Sequence, residues 1–197
     1  MKKAVMNNKL AYCFILICFF ASGVSAKEVA GVKLEENLAV SEGGPSLSLN
    51  GAGVRYKFFF KIYVGALYLP AQQNDPAVIL KGSQANRVLM HFLYDEVTQE
   101  KLVAAWQEGF AENVEADVFQ TLKTRLDKFN GMFSDMHAGD VILLDYMPGK
   151  GTRVTIKGVE KGLIEGADFN QALLSVWLGE EPVTEELKDA LLGIEED

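Results

Sequence analysis

Cysteine is nearly missing from this chain. Of 197 residues only Cys13 and Cys18 are cysteines, and both lie near the start. If a leader ending at Ala26 is removed, none is left, which excludes a disulfide, a thiol nucleophile and a cysteine metal site. Histidine is as scarce, with only His91 and His137. Neither stands in a recognisable nucleophile context. No HExxH, no GxGxxG and no paired-histidine metal spacing is present, so the reading gives no catalytic set, no metal and no cofactor. His91 lies in an apolar run and is read as a packed, hydrogen-bonded strand residue. Positive charge is also in deficit, at 19 Lys+Arg against 27 Asp+Glu. That balance excludes a nucleic-acid partner and argues against electrostatic docking on an anionic membrane. Part of it is a solvated acidic tail that includes Glu185, Glu186, Asp189, Glu195, Glu196 and Asp197.

Long apolar runs are lacking as well. The run Leu10–Ala21 is short of the roughly 20 residues of a spanning helix. It follows Lys2, Lys3 and Lys9 and precedes Gly23-Val-Ser-Ala26. That order of charged, apolar and small residues predicts a secretory signal at 1–26, cleaved after Ala26. Ile17 before Cys18 is too large for a lipoprotein site. The expectation is a periplasmic or secreted chain with no stable membrane anchor after signal removal. Taking the three leader lysines from 19 leaves 16 cations against 27 acids, or −11. Residues 27–197 are long enough for one domain with a sizeable core, and no repeat or linker divides them.

Much of the chain is organised around Asn50–Pro70, NGAGVRYKFFFKIYVGALYLP. It is strand-like, rich in aromatic and β-branched residues, with Gly and Ala where backbones approach closely. Arg55, Lys57 and Lys61 are set in it beside Tyr56, Tyr63 and Tyr68. As one extended run it puts 55, 57, 59, 61 and 63 on a common face. A bulge or tight turn near Phe58–Phe60 would break that register. A guanidinium beside a phenol in an apolar wall suits a carboxylate or phenolate, because Arg offers a charged planar fork and Tyr one more donor. The plainer reading is a half-buried strand whose cations reach solvent.

Before this stretch, Val29–Leu34 and Leu38–Val40 read as short strands. After it, Pro70–Ser83 reads as a surface connection with one short helical piece, and Arg87–Tyr94 as a strand covered on both faces. The period then changes. Leu102, Trp106 and Phe110 recur every four residues after Thr98, a helix cap, and Val118, Leu122, Leu126 and Phe129 mark a second helix ending near Gly131. Gly139–Met147, Thr152–Lys157 and Val159–Glu165 return to strands, with PGKG (148–151) a hairpin turn rather than a phosphate loop. Asp168 and Gln171 form a capping-box pattern for a helix that turns Phe169, Leu173 and Trp177 inward and stops at Gly179. Thr184 caps a last helix, Glu185–Leu192. The order of elements makes this an α+β protein, an antiparallel sheet with helices packed on it.

GAGVR with KIYVGALYLP resembles the chalcone isomerase-like family, in particular its secreted bacterial members. The likeness continues through EKLVAAWQEG (100–109), GDVILLDYMPGKGTRVTIKG (139–158) and DFNQALLSVWLGEEPV (168–183). It implies an open-faced β-sandwich with a layer of helices and a ligand cleft between sheet and helices. The family's plant enzymes cyclise chalcones with an Arg, a strand Thr, a helical Tyr and Asn, and a Ser/Thr near the C-terminus, donors suited to phenolate and developing enolate. Arg55 matches the family arginine. Tyr63 falls at the strand Thr, and Thr184 at the Ser/Thr, where a helix cap explains it equally well. Val97–Ala105 contains neither Tyr nor Asn. The Arg-plus-Tyr combination resembles the family's non-catalytic fatty-acid-binding members. The expectation is therefore an exported binding protein whose partner is a small apolar carboxylate, a fatty acid above all. Arg55, Tyr63 and Thr184 are its candidate ligand-binding residues. The alternatives are an isomerase (intramolecular lyase) with a rearranged site, and a structural or partner-binding protein with a collapsed cleft and Arg55 paired to an internal acid.

Overall fold

Eleven strands and five helices follow one another along residues 26–39 and 44–194, which the computed structural model describes. First come β1 (Ala26–Val29), β2 (Val32–Glu35) and β3 (Asn37–Ala39), then the long pair β4 (Ser46–Lys57) and β5 (Phe60–Leu69). Helix α1 (Pro76–Lys81), strand β6 (Asn86–Phe92) and the short β7 (Glu96–Val97) lead into α2 (Gln99–Asn113) and α3 (Ala116–Asn130). The chain closes with β8 (Met136–His137), β9 (Val141–Met147), β10 (Gly151–Ile156), β11 (Val159–Ile164), α4 (Ala167–Leu178) and α5 (Glu185–Leu191). The expected signal peptide lies outside the described residues apart from Ala26, as do Val40 and the acidic residues 195–197.

Seven strands form one antiparallel sheet in the order β11-β10-β9-β6-β5-β4-β3. This is the expected α+β architecture, an antiparallel sheet with helices on one face. On that side Leu67, Met90, Phe92, Ile142 and Val154 share a core with Phe110, Leu126 and Trp177 of the helices. Among the described residues the other face carries the β1–β2 hairpin, whose Val32 and Leu34 join Leu47, Val64 and Tyr68 in a smaller cluster. Because that outer layer is partial, β6 alternates. Val88, Met90 and Phe92 are buried, while Arg87, Leu89 and His91 are half-buried. The expected cover on both faces is thus present on one.

Asn50–Pro70 is a hairpin, and the turn at Phe58–Phe59 replaces the single extended run. Phe58 sits at φ +57°, a left-handed conformation that costs an L-residue about 1–2 kcal/mol. Two bulges offset each other in this pair. Asn50 is extra in β4 and Ile62 in β5. Val29–Leu34 is likewise broken, by a turn at Ala30–Gly31 where both residues have positive φ.

Glycines let the last helix sit close. A Cβ on Gly51 would fall 2.1 Å from the Ala190 carbonyl oxygen, and one on Gly53 2.5 Å from the Ala190 Cβ. Asn50, turned out by its bulge, donates to the carbonyls of Gln73 (2.9 Å) and Leu191 (2.8 Å) and accepts from the Gln73 N–H (2.7 Å). These bonds fasten α5 across the end of β4. On the outer face Asp145, 1% exposed, is held between Arg87 of β6 and Arg153 of β10. The cations on either side keep this buried carboxylate paired.

The helix stripes largely hold. Leu102, Trp106 and Phe110 are buried on α2, and Thr98 caps it, accepting from the Lys101 N–H. On α3 Leu122, Leu126 and Phe129 are buried, but Val118 in the first turn is exposed. Phe169, Leu173 and Trp177 of α4 are buried and Gly179 ends the helix. Asp168 does not cap it. The N-cap is Gly166, and Asp168 in the first turn binds both terminal nitrogens of Arg125 at 2.8 and 2.6 Å. A bidentate guanidinium outcompetes a local backbone bond.

Candidate functional site

The Ile62 bulge fixes the site. With a two-residue turn, a regular ladder would set Arg55 opposite Ile62 and turn Tyr63 to the other face. The extra residue brings Arg55 and Tyr63 directly opposite each other instead, an example of a bulge re-aiming a side chain. The irregular backbone is satisfied by β6, since the Ile62 carbonyl accepts from the N–H groups of Leu93 (2.9 Å) and Tyr94 (3.2 Å). The Arg55 guanidinium carbon then stands 5.8 Å from the centre of the Tyr63 ring, within cation–π range.

Both residues line a cleft of about 350 Å³ between the sheet and α2. Ile62, Met90, Phe92, Leu102, Ala105 and Val176 make its wall apolar, and Lys57, Glu96, Lys101 and Glu108 bring charge to its border. Behind α2 the wall is stiff. Trp106 stacks edge-on against Phe129 and Trp177, with ring centres 5.4 and 5.6 Å apart.

Three donors belong to residues that line this apolar space. The Arg55 Nε–H is buried with no hydrogen-bond partner among the described residues, and so is the indole N–H of Trp106. Tyr63, 4% exposed, accepts a 2.9 Å bond from the Trp177 indole N–H, so its own proton remains to be donated. Burial pushes the Tyr63 hydroxyl above its ordinary pKa, opposed by the Arg55 charge and the Trp177 bond. It is a neutral donor at physiological pH. Buried polar groups are normally paired, and these unpaired donors stand out for lying on residues of the cleft wall.

Arg55 and Tyr63 are thus brought together, and Thr184 stands apart from them. Its hydroxyl accepts from the Leu187 N–H at 3.2 Å as the cap of α5, and its neighbour Val183, not Thr184 itself, borders the cleft. The alternative of a collapsed cleft with Arg55 paired to an acid does not hold. The cleft is open, and Arg55 makes no ion pair among the described residues. Trp106 and Trp177 are site members that periodicity marks only as core. The signal for them is an indole donor in an otherwise apolar stripe.

The fold is shared with solved structures. The crystal structure of a fatty-acid binding protein of Arabidopsis thaliana matches with a TM-score of 0.61 and 15% identity, over 80% of this chain and 96% of that one. At that identity the likeness is one of fold. No curated protein matches the chain in sequence. Residues 26–193 match the family described as chalcone isomerase-like, and the chain belongs to that family.

Proposed function

We propose that this protein binds a fatty acid or a similar apolar carboxylate without transforming it, with Arg55 and Tyr63 holding the head group and the apolar cleft taking the chain. The observation that carries the reading is the pair itself, a charged fork with an unpaired buried Nε–H opposite a hydroxyl whose proton has no acceptor among the described residues. A carboxylate accepts from both, and the Trp106 indole adds a further donor to the same cleft. The Arabidopsis neighbour in fold is itself a fatty-acid binding protein, which agrees with this reading. The segment of α2 that borders the cleft presents Lys101, Leu102, Ala104, Ala105, Trp106 and Glu108, which gives an isomerase no helical Tyr or Asn to place a substrate carbonyl. Export to the periplasm or medium is part of the proposal and rests on residues 1–26.

The test compares a fatty acid with the alcohol of equal length. A charge-assisted Arg–carboxylate bond contributes on the order of 1.5–3 kcal/mol. Arg55→Ala should therefore weaken acid binding roughly 10- to 150-fold, and Arg55→Lys should restore only part of that, lacking the planar fork. The alcohol should bind poorly and be almost indifferent to both substitutions. Equal affinity of the wild type for acid and alcohol would remove Arg55 as the head-group contact.

A further inference from the structure

The β4–β5 hairpin is most apolar where solvent reaches it most. Phe58 is 84% exposed and Phe59 96%, and Tyr56 and Phe60 beside them are open too. The other large exposed apolar side chains among the described residues are Val78, Val118, Val159 and Ile194, scattered singly. Single aliphatics are ordinary surface. Four aromatics in five consecutive positions are not. Phe60 is partly tied down, edge-on to Tyr94 at 5.4 Å, whereas Phe58 and Phe59 form the turn itself. The left-handed φ of Phe58 belongs at a turn to Gly or Asn, so the chain holds a bulky ring there against its backbone preference. Lys57 and Lys61, both exposed, bracket the rings in a chain whose net charge is −8.

We infer that this hairpin tip docks the protein reversibly on an anionic lipid bilayer. Phe58 and Phe59 enter the boundary between headgroups and acyl chains, and Lys57 and Lys61 meet the lipid phosphates. Aromatic rings flanked by lysines suit that interface, where one end is apolar and the other wet. Size decides for lipid over a protein partner. A stable protein interface buries about 800 Å² on each side, more than a two-residue turn presents, whereas a bilayer accepts insertion at a point. Glu96 and Glu108 border the cleft nearby and oppose the lysines, which keeps the attachment weak and releasable. Lys57, Phe58 and Phe60 also line the cleft, so docking turns its mouth toward the bilayer. If the cleft takes an acyl chain, as proposed above, that chain passes between membrane and protein without crossing water. The docking itself does not depend on what the cleft binds.

The test uses phosphatidylglycerol-containing vesicles against pure phosphatidylcholine. Phe59→Trp places an indole at the tip, and the wild type, with Trp106 and Trp177 only 2% and 1% exposed, is the control that subtracts any quenching from within the cleft. The tip fluorescence should shift to the blue and be quenched by brominated acyl chains in anionic vesicles, whatever happens at the N-terminus. In sedimentation, Phe58→Ser with Phe59→Ser should lower binding at least about tenfold. Lys57→Gln with Lys61→Gln should lower it by about 25-fold, at about fivefold for each cation, and salt should imitate that change. These side chains are exposed, so circular dichroism should show both variants folded. An unquenched tip indole would overturn the inference, as would sedimentation indifferent to both pairs. A concentration-dependent dimer abolished by the phenylalanine pair would overturn it too, by assigning the tip to a second copy.

Discussion

Trp177 donates its indole N–H to the Tyr63 hydroxyl at 2.9 Å, and this one bond settles what Tyr63 can do. With one acceptor site occupied, the hydroxyl keeps its proton to donate, and in the proposed complex a carboxylate takes it. Tyr63→Phe should lower fatty-acid affinity about fivefold. It should also strand a buried indole N–H, at a stability cost of about 1–3 kcal/mol. Chemical denaturation beside a binding titration separates the two effects. A loss of affinity with no loss of stability would mean that Trp177 had found another partner.

Chain length is the next expectation. The cleft, at about 350 Å³, lies at the low end of the 300–1,000 Å³ usual for small-molecule sites. Each buried methylene contributes about 0.8 kcal/mol, so affinity should rise about fourfold per carbon and then level off once the cleft is full. Calorimetry across a series of saturated acids would show the break. A rise with no plateau would mean that the cleft opens further than this structure shows.

Alkaline pH should unfold the protein early. Burial raises the Tyr63 hydroxyl above 10.0 and pushes Tyr68 up to about 12. Below pH 10 both are protonated folded or unfolded, and their contribution to stability is complete. Above it the unfolded chain loses protons that the folded one keeps, so stability falls by up to about 1.4 kcal/mol per pH unit for each tyrosine. For Tyr68 the window runs from pH 10 to about 12. Tyr68→Phe should flatten the decline seen in denaturant midpoints over that range, and an unchanged slope would exclude it as a cause.

Gly51 offers a purely steric test. Gly51→Ala places a methyl against the Ala190 carbonyl, and α5 must back away, at about 1–3 kcal/mol. Arg55 and Tyr63 lie further along the hairpin, so ligand affinity should change little in whatever fraction stays folded. A thermal melt and a titration on the same sample distinguish these outcomes.

Periodicity and capping made most of the fold legible. Leu102, Trp106 and Phe110 lie where a four-residue repeat puts them, and Thr98 and Thr184 cap their helices by the chemistry of their hydroxyls. What stayed hidden depends on partners far along the chain. Asp168 reads as a local cap because nothing near it announces Arg125, 43 residues away. The turn at Phe58–Phe59 has no Asn-Gly signal, since a Phe held at positive φ goes against turn preference. The Ile62 bulge leaves no mark in composition. The strand character around Arg55 and Tyr63 was therefore readable, as one extended run with both on a common face, but their placement opposite each other on two strands needed the ladder itself. Net charge, a sum over the whole chain, carries no record of two lysines bracketing three phenylalanines.

The glycine-lined face of β4 also bears on how the molecule assembles. β4 and β5 are neighbours in sequence and can zip within microseconds as a hairpin. The Asn50 bond to Leu191 spans 141 residues, so that contact closes a far longer loop and belongs among the slow steps of folding. Until α5 arrives, a bare strip of sheet around Gly51 and Gly53 faces solvent beside the hairpin's apolar core, the kind of surface on which partly folded chains stick to one another. Variants that weaken the seat of α5, Gly51→Ala among them, should therefore lose yield on refolding in addition to the lowered melting temperature expected above.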